Sequence, residues 1–165
     1  MSRLARLGLS LAAVVALGAA AAGSSLASDN RPRVLDANLA ALPANLAGQT
    51  LFGVRAGGLP WRLDGGRAKL FADGRLQVDV RGLVLAAGPA EGTNPIGHAK
   101  AIVTCEGAPA AASGVVPYST DGDARIDQVV DLPNGCLAPA VFFAGVPNPA
   151  SPDAAVWFAV SGLEG

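Results

Sequence analysis

Few residues in this chain are of types that do acid-base, nucleophilic or metal chemistry, and their spacing decides what they can do. A hydrolytic triad needs an imidazole, and His98 is the single histidine. It closes the stretch Gly92-Thr-Asn-Pro-Ile-Gly-His98, which reads as a loop, and no Gly-x-Ser-x-Gly elbow accompanies it. His98 is therefore expected to be a solvated or hydrogen-bonded loop residue. Zinc signatures and dinucleotide fingerprints are absent, and the pairs Gly57-Gly58 and Gly65-Gly66 lack the lysine and spacing of a phosphate cradle. They read as turn residues, and no cofactor is expected.

The densest acidic group is Asp121 with Asp123, in Ser-Thr-Asp-Gly-Asp-Ala. Two such carboxylates with a backbone carbonyl would suit calcium, but the next acidic residue is misplaced for a twelve-residue calcium loop. Asp-Gly is also common turn chemistry, so both readings stand. Glycoside hydrolysis would need two carboxylates flanking a bond. Asp64, Asp79, Glu91 and Glu106 are available, but sequence alone pairs none of them. For sugar binding, which uses flat aromatic platforms, Trp61 and Tyr118 are the candidate surface residues. The alternative for Trp61 is a ring covering the open end of the core.

Arg3 and Arg6 precede a charge-free, alanine-rich run from Leu7 to Ala22, with Ser25 and Ala27 at the −3 and −1 positions of a cut before Ser28. This predicts a signal peptide over 1–27. A membrane anchor would need ~20 strongly apolar residues, and these sixteen are mostly small. The mature chain is expected to be secreted or periplasmic, with no membrane span. There, Cys105 and Cys136 read as a disulfide, since oxidising surroundings join an isolated pair.

From Ser28 the chain has ten basic and thirteen acidic residues, a net charge of −3. With 15% charged residues and no basic stripe, nucleic-acid binding is not expected. Arginine outnumbers lysine ten to two, and 34 alanines point the same way, to a GC-rich bacterial genome. Alanine also dilutes the 51% hydrophobic content, so the core must come from few large side chains.

The elements that position these residues are strands. After about Gly48, apolar stretches recur between Gly, Pro, Asn and Asp clusters, and 21 glycines and 12 prolines leave little room for a helix. The expected fold is all-β: a single-domain antiparallel β-sandwich of seven to eight strands over 49–165, after a linker or irregular first strand over 28–48. Leu76, Val78 and Val80 alternate with Arg75, Gln77, Asp79 and Arg81. A three-residue hairpin loop matches polarity best, pairing Leu70 with Leu76, Ala68 with Val78, Lys69 with Gln77 and Arg67 with Asp79. It requires Gly74 in the left-handed region. Leu83, Val84 and Leu85 are apolar on both faces, so the chain there bulges, switches sheets or runs into the core. The segments 137–145 and 154–162 read as core strands.

The runs Gly58-Leu-Pro-Trp61, Asp73-Gly-Arg-Leu-Gln-Val-Asp-Val-Arg-Gly-Leu-Val-Leu85, Gly92-Thr-Asn-Pro95, Asp121-Gly-Asp-Ala-Arg-Ile126 and Cys136-Leu-Ala-Pro139 span most of the mature chain. In them it resembles a family of uncharacterised small secreted bacterial proteins. The resemblance implies export and a small β domain, and brings no activity. Immunoglobulin ancestry does not fit, because neither Trp61 nor Trp157 lies between the cysteines. The expected role is a non-enzymatic exported module, structural or binding a protein or envelope partner. The alternative is an extracellular hydrolase using carboxylates.

Overall fold

The computed structural model describes residues 32–163, so the expected signal peptide lies outside it. The strands are β1 (Arg33–Ala41), β2 (Thr50–Leu51), β3 (Val54–Arg55), β4 (Trp61–Arg62), β5 (Gly65–Phe71), β6 (Arg75–Arg81), β7 (Val84–Leu85), β8 (His98–Cys105), β9 (Ala108–Ala112), β10 (Val116–Pro117), β11 (Ala124–Val129), β12 (Ala140–Gly145) and β13 (Val156–Ser161). Two short 3-10 turns, Ala44–Leu46 and Pro152–Ala154, are the only helical segments among the described residues. No helix among them is long and apolar enough to cross a membrane.

The main sheet runs β10-β8-β12-β13-β1-β5-β6-β11, with β9 also on β8, and every pairing in it is antiparallel. β1 changes partner along its length. Arg33 to Asn38 pair with β5, whereas Leu39 to Ala41 pair with β13. The sheet therefore curls about β1 into a half-barrel, and the expected two separately paired layers are not confirmed. Nine strands lie in this one sheet, and two-stranded ribbons β2-β3 and β4-β7 add four more. The segment 28–48, read as a linker or irregular strand, supplies the shared strand. Its alternation is faint because Ala37, Ala40 and Ala41 give both faces the same small side chain.

The concave side is lined by Ala68, Leu70, Leu76, Val78, Val80 and Ile126 from one half and by Ala101, Val103, Val141 and Phe143 from the other, all buried. In the second half the convex side is covered too. Phe142 faces outward beside Ile102, where Phe52 of the β2-β3 turn and Trp157 meet it edge-on. β12 and β13 are thus buried on both faces, which accounts for their continuous apolar sequences.

The β5-β6 hairpin has the expected register. Leu70 pairs with Leu76, Lys69 with Gln77, Ala68 with Val78 and Arg67 with Asp79. Gly74 has φ +82°, and its carbonyl accepts a 2.9 Å bond from Val130 N. At Gly82 the chain leaves β6 for the β4-β7 ribbon, so Leu83, Val84 and Leu85 are all buried. Cys105 at the end of β8 and Cys136 ahead of β12 form the disulfide, with Cα atoms 5.1 Å apart. It ties the loop between β11 and β12 to the β8-β9 turn.

Candidate functional site

Strand register sorts the charged side chains of β1, β5, β6 and β11 onto the convex, wet face. Asp36, Lys69, Gln77 and Asp127 form one cross-strand row, and Asn38, Arg67, Asp79 and Arg125 the next. Arg81 and Arg75 extend this surface, and Arg33 lies at its rim. Arg67 Nε donates to Asp36 Oδ1 at 2.7 Å, and Arg33 Nη1 donates to Oδ2 at 2.5 Å. Arg75 approaches Asp127 at 3.4 Å and Arg125 approaches Asp79 at 3.6 Å. The Arg67 hydrogen bond, helped by Arg33, holds the Asp36 carboxyl below its ordinary value. Arg75, helped by Gln77, does the same for Asp127. Lys69 and Arg81 have no ion pair among the described residues.

This face holds six cations against three aspartates. Residues 32–163 contain nine Lys and Arg and eleven Asp and Glu, which leaves three cations and eight anions elsewhere. The domain is acidic as a whole, yet this one face is positive by three charges. Solvent-facing ion pairs contribute little to stability. What they leave here is a field.

A second feature lies on the convex side of the other half. Lys100 and Ile102 of β8 and Pro109 to Ala112 of β9 floor a groove of about 400 Å³, walled by Gly53, Val54 and Arg55 and by Asp153 and Ala155. Lys100 alternates with the inward Ala99 and Ala101, so its side chain must leave on this side. It is 8% exposed. Among the described residues its Nζ makes no hydrogen bond, and the nearest anionic group is the fully exposed carboxylate of Asp153, 3.9 Å away. Sequence reasoning passed Lys100 over. The available signal was a lone lysine set immediately before the apolar run Ala101 to Val103.

The aromatic candidates are not surface residues. Trp61 is buried, its ring stacked on Phe158 at 3.9 Å and 19°. Tyr118 is buried edge-on to Phe143 and donates its hydroxyl to Leu83 O, and burial pushes that hydroxyl's pKa well up. Neither can offer a flat platform, because the adjoining β4-β7 ribbon and the 118–123 turn close over the core and take both rings into it. Asp123 caps a turn: its Oδ1 accepts from Gly82 N at 2.9 Å, and its own N–H donates to Ser119 Oγ. Asp121 beside it is exposed. Among the described residues no three His, Cys, Asp or Glu side chains gather as a metal site. His98 begins β8 as an exposed strand residue, where a loop was expected.

No family model, curated protein or solved structure matches the chain. The functional reading therefore rests on these surfaces.

The carboxylates weighed for hydrolysis are dispersed in their roles. Asp79 faces Arg125 on the wet sheet, and Asp64 lies 3.8 Å from Arg62. Glu106 occupies the β8-β9 turn with φ +52°, and Glu91 N–H closes a turn on Gly88 O.

Proposed function

We propose that the protein is an exported, non-enzymatic β module, secreted or periplasmic and of bacterial origin, that docks on an anionic envelope component through the wet face of β1, β5, β6 and β11. One observation carries this reading: an acidic domain concentrates six of its nine described cations on a single sheet face. Such a face attracts an anionic surface over about 10 Å at 0.1 M salt and is screened as salt rises. Lys69 and Arg81, without carboxylate partners among the described residues, are its available donors. The disulfide supports the compartment. In this reading the two halves joined at β1 act as the two layers of a sandwich closed over a common core. No observation favours the carboxylate hydrolase.

Sedimentation with lipid vesicles tests the proposal. The protein is expected to bind phosphatidylglycerol vesicles at low salt and to release at high salt, and to leave phosphatidylcholine vesicles unbound. The double variant Lys69→Glu/Arg81→Glu should lose binding with its melting temperature unchanged. Binding that persists in that variant, or none at low salt, overturns the reading.

A further inference from the structure

The groove over β8 and β9 lies on the other half of the molecule and is independent of the charged face. Its chemistry begins with Lys100. A lysine carries three donors and no acceptor, and taking its charge out of water without hydrogen bonds is unfavourable. Here the side chain is nine-tenths buried, and its one anionic neighbour stands beyond hydrogen-bond distance in full contact with solvent. Nζ keeps contact with solvent at the groove mouth, and no acceptor among the described residues hydrogen-bonds it.

Apart from Lys100, Arg55 and Asp153, the groove is lined by apolar side chains and glycine. Ile102, Val54, Ala111 and Ala155 line it, and at its far end Gly53 of the hairpin turn packs closely on Pro109 of β9, since a Cβ on Gly53 would fall 2.8 Å from Pro109 Cδ. Pro109 pairs with Thr104, four residues along β8 from Lys100. At about 3.3 Å per residue, the slot runs roughly 13 Å from Lys100 to Pro109. Arg55, with no ion pair among the described residues, adds a second positive group on the wall. Asp153 is the one negative group, so the groove is positive by one charge.

We infer that this groove binds a small amphipathic monocarboxylate, its carboxylate on Lys100 Nζ and its unbranched apolar chain lying along β8 and β9 toward Pro109. The carboxylate supplies the acceptor that Lys100 lacks, in a setting where a charge-assisted hydrogen bond is strong. The chain covers Ile102 and the alanines of β9. The size of the cavity falls within the range of small-ligand sites. Asp153 competes with the ligand for the same nitrogen.

Calorimetric titration of the purified protein with decanoate, decanol and acetate tests this. Decanoate is expected to bind roughly tenfold or more tightly than decanol, and acetate to give no heat. Lys100→Met, which keeps the apolar stem, should lower decanoate affinity by a similar factor and leave decanol unchanged, whereas Lys100→Arg should retain binding. Asp153→Asn should raise decanoate affinity, because it removes the competing carboxylate from an exposed position that the fold does not depend on. Equal binding of decanoate and decanol, or Lys100→Met binding decanoate as the parent does, overturns the inference. So does an Asp153→Asn variant that binds no more tightly. Loss of vesicle docking in Lys69→Glu/Arg81→Glu with decanoate binding intact would show that the two surfaces act separately.

Discussion

Replacing Gly74 by alanine tests whether a backbone conformation and a close approach stabilise the fold together. Gly74 has φ +82°, and a Cβ there would lie 2.2 Å from the carbonyl oxygen of Val130. Two effects add. Holding an alanine in the left-handed region costs about 1 to 2 kcal/mol. The contact with Val130 O cannot be relieved by a side-chain rotation, since the obstacle is main chain, so the 73–75 turn and Val130 must separate. That weakens the Val130 N to Gly74 O bond, a further ~1 kcal/mol. The sum is roughly 2 to 3 kcal/mol, and at ~3 to 5 °C per kcal/mol for a domain of this size the melting temperature should fall by roughly 6 to 15 °C. Gly48→Ala is the control. Its φ is +75°, but a Cβ there meets nothing within 4 Å, so it should show the conformational part alone. Urea unfolding of both variants at equal slope separates the contributions. Equal losses at the two positions would refute the role of the Val130 contact, and no loss at Gly74 would refute the reasoning altogether. Gly74→Val adds β-branching and should be worse than alanine.

Removing the cross-link by Cys105→Ser/Cys136→Ser should lower stability by about 3 to 4 kcal/mol in the chain-entropy model for its 31-residue separation, seen as an earlier urea midpoint. Tyr118→Phe keeps the edge-on packing against Phe143 but leaves the buried acceptor Leu83 O without its donor. A loss of roughly 1 to 3 kcal/mol is expected in the same assay. Acid should act through Asp36 and Asp127, whose folded carboxyls titrate below the ordinary value of 3.8. The unfolded chain takes up these protons first, so their contribution is complete above that value and declines as pH falls through the folded pKa values. The urea midpoint should therefore be lower near pH 2 than at pH 6, and Asp36→Asn/Asp127→Asn should flatten that dependence.

Where polar and apolar residues alternate strictly, structure is legible in the sequence. The β5-β6 register follows from matching Arg67, Lys69, Gln77 and Asp79 across a loop that demands a glycine, because a slip by one residue would place Lys69 against Val78. The cysteine pair and the doubly buried 140–145 and 156–161 strands are legible for similarly local reasons. β1 is not, because alanine carries little information about which face is wet. The curl of the sheet also escapes, since it depends on β1 finding β13 some 120 residues later, a pairing with no local sign. Trp61 and Tyr118 mislead in the same way. Their flanking prolines and glycines mark turns, but only the assembled fold shows that those turns fold back over the core. Lys100 is hidden by its neighbours: in an apolar strand one lysine reads as the edge of the run, and the groove around it is built by β3 and β9, distant segments of the chain.

The change of partner along β1 also sets the order in which the chain can be completed. Among the described strands β1 is synthesised first, yet its Leu39 to Ala41 segment pairs with β13, the last of them. Its other segment gains β5 much earlier. Until β13 arrives, half of the sheet therefore has an unpaired edge at its centre, so a nascent chain cannot reach the native topology one hairpin at a time. A permutant opened in the 147–155 connection, with β13 joined to β1 by a short linker, would convert this longest-range pairing into a local one. Such a circular permutant should fold faster than the natural order while keeping the same buried core.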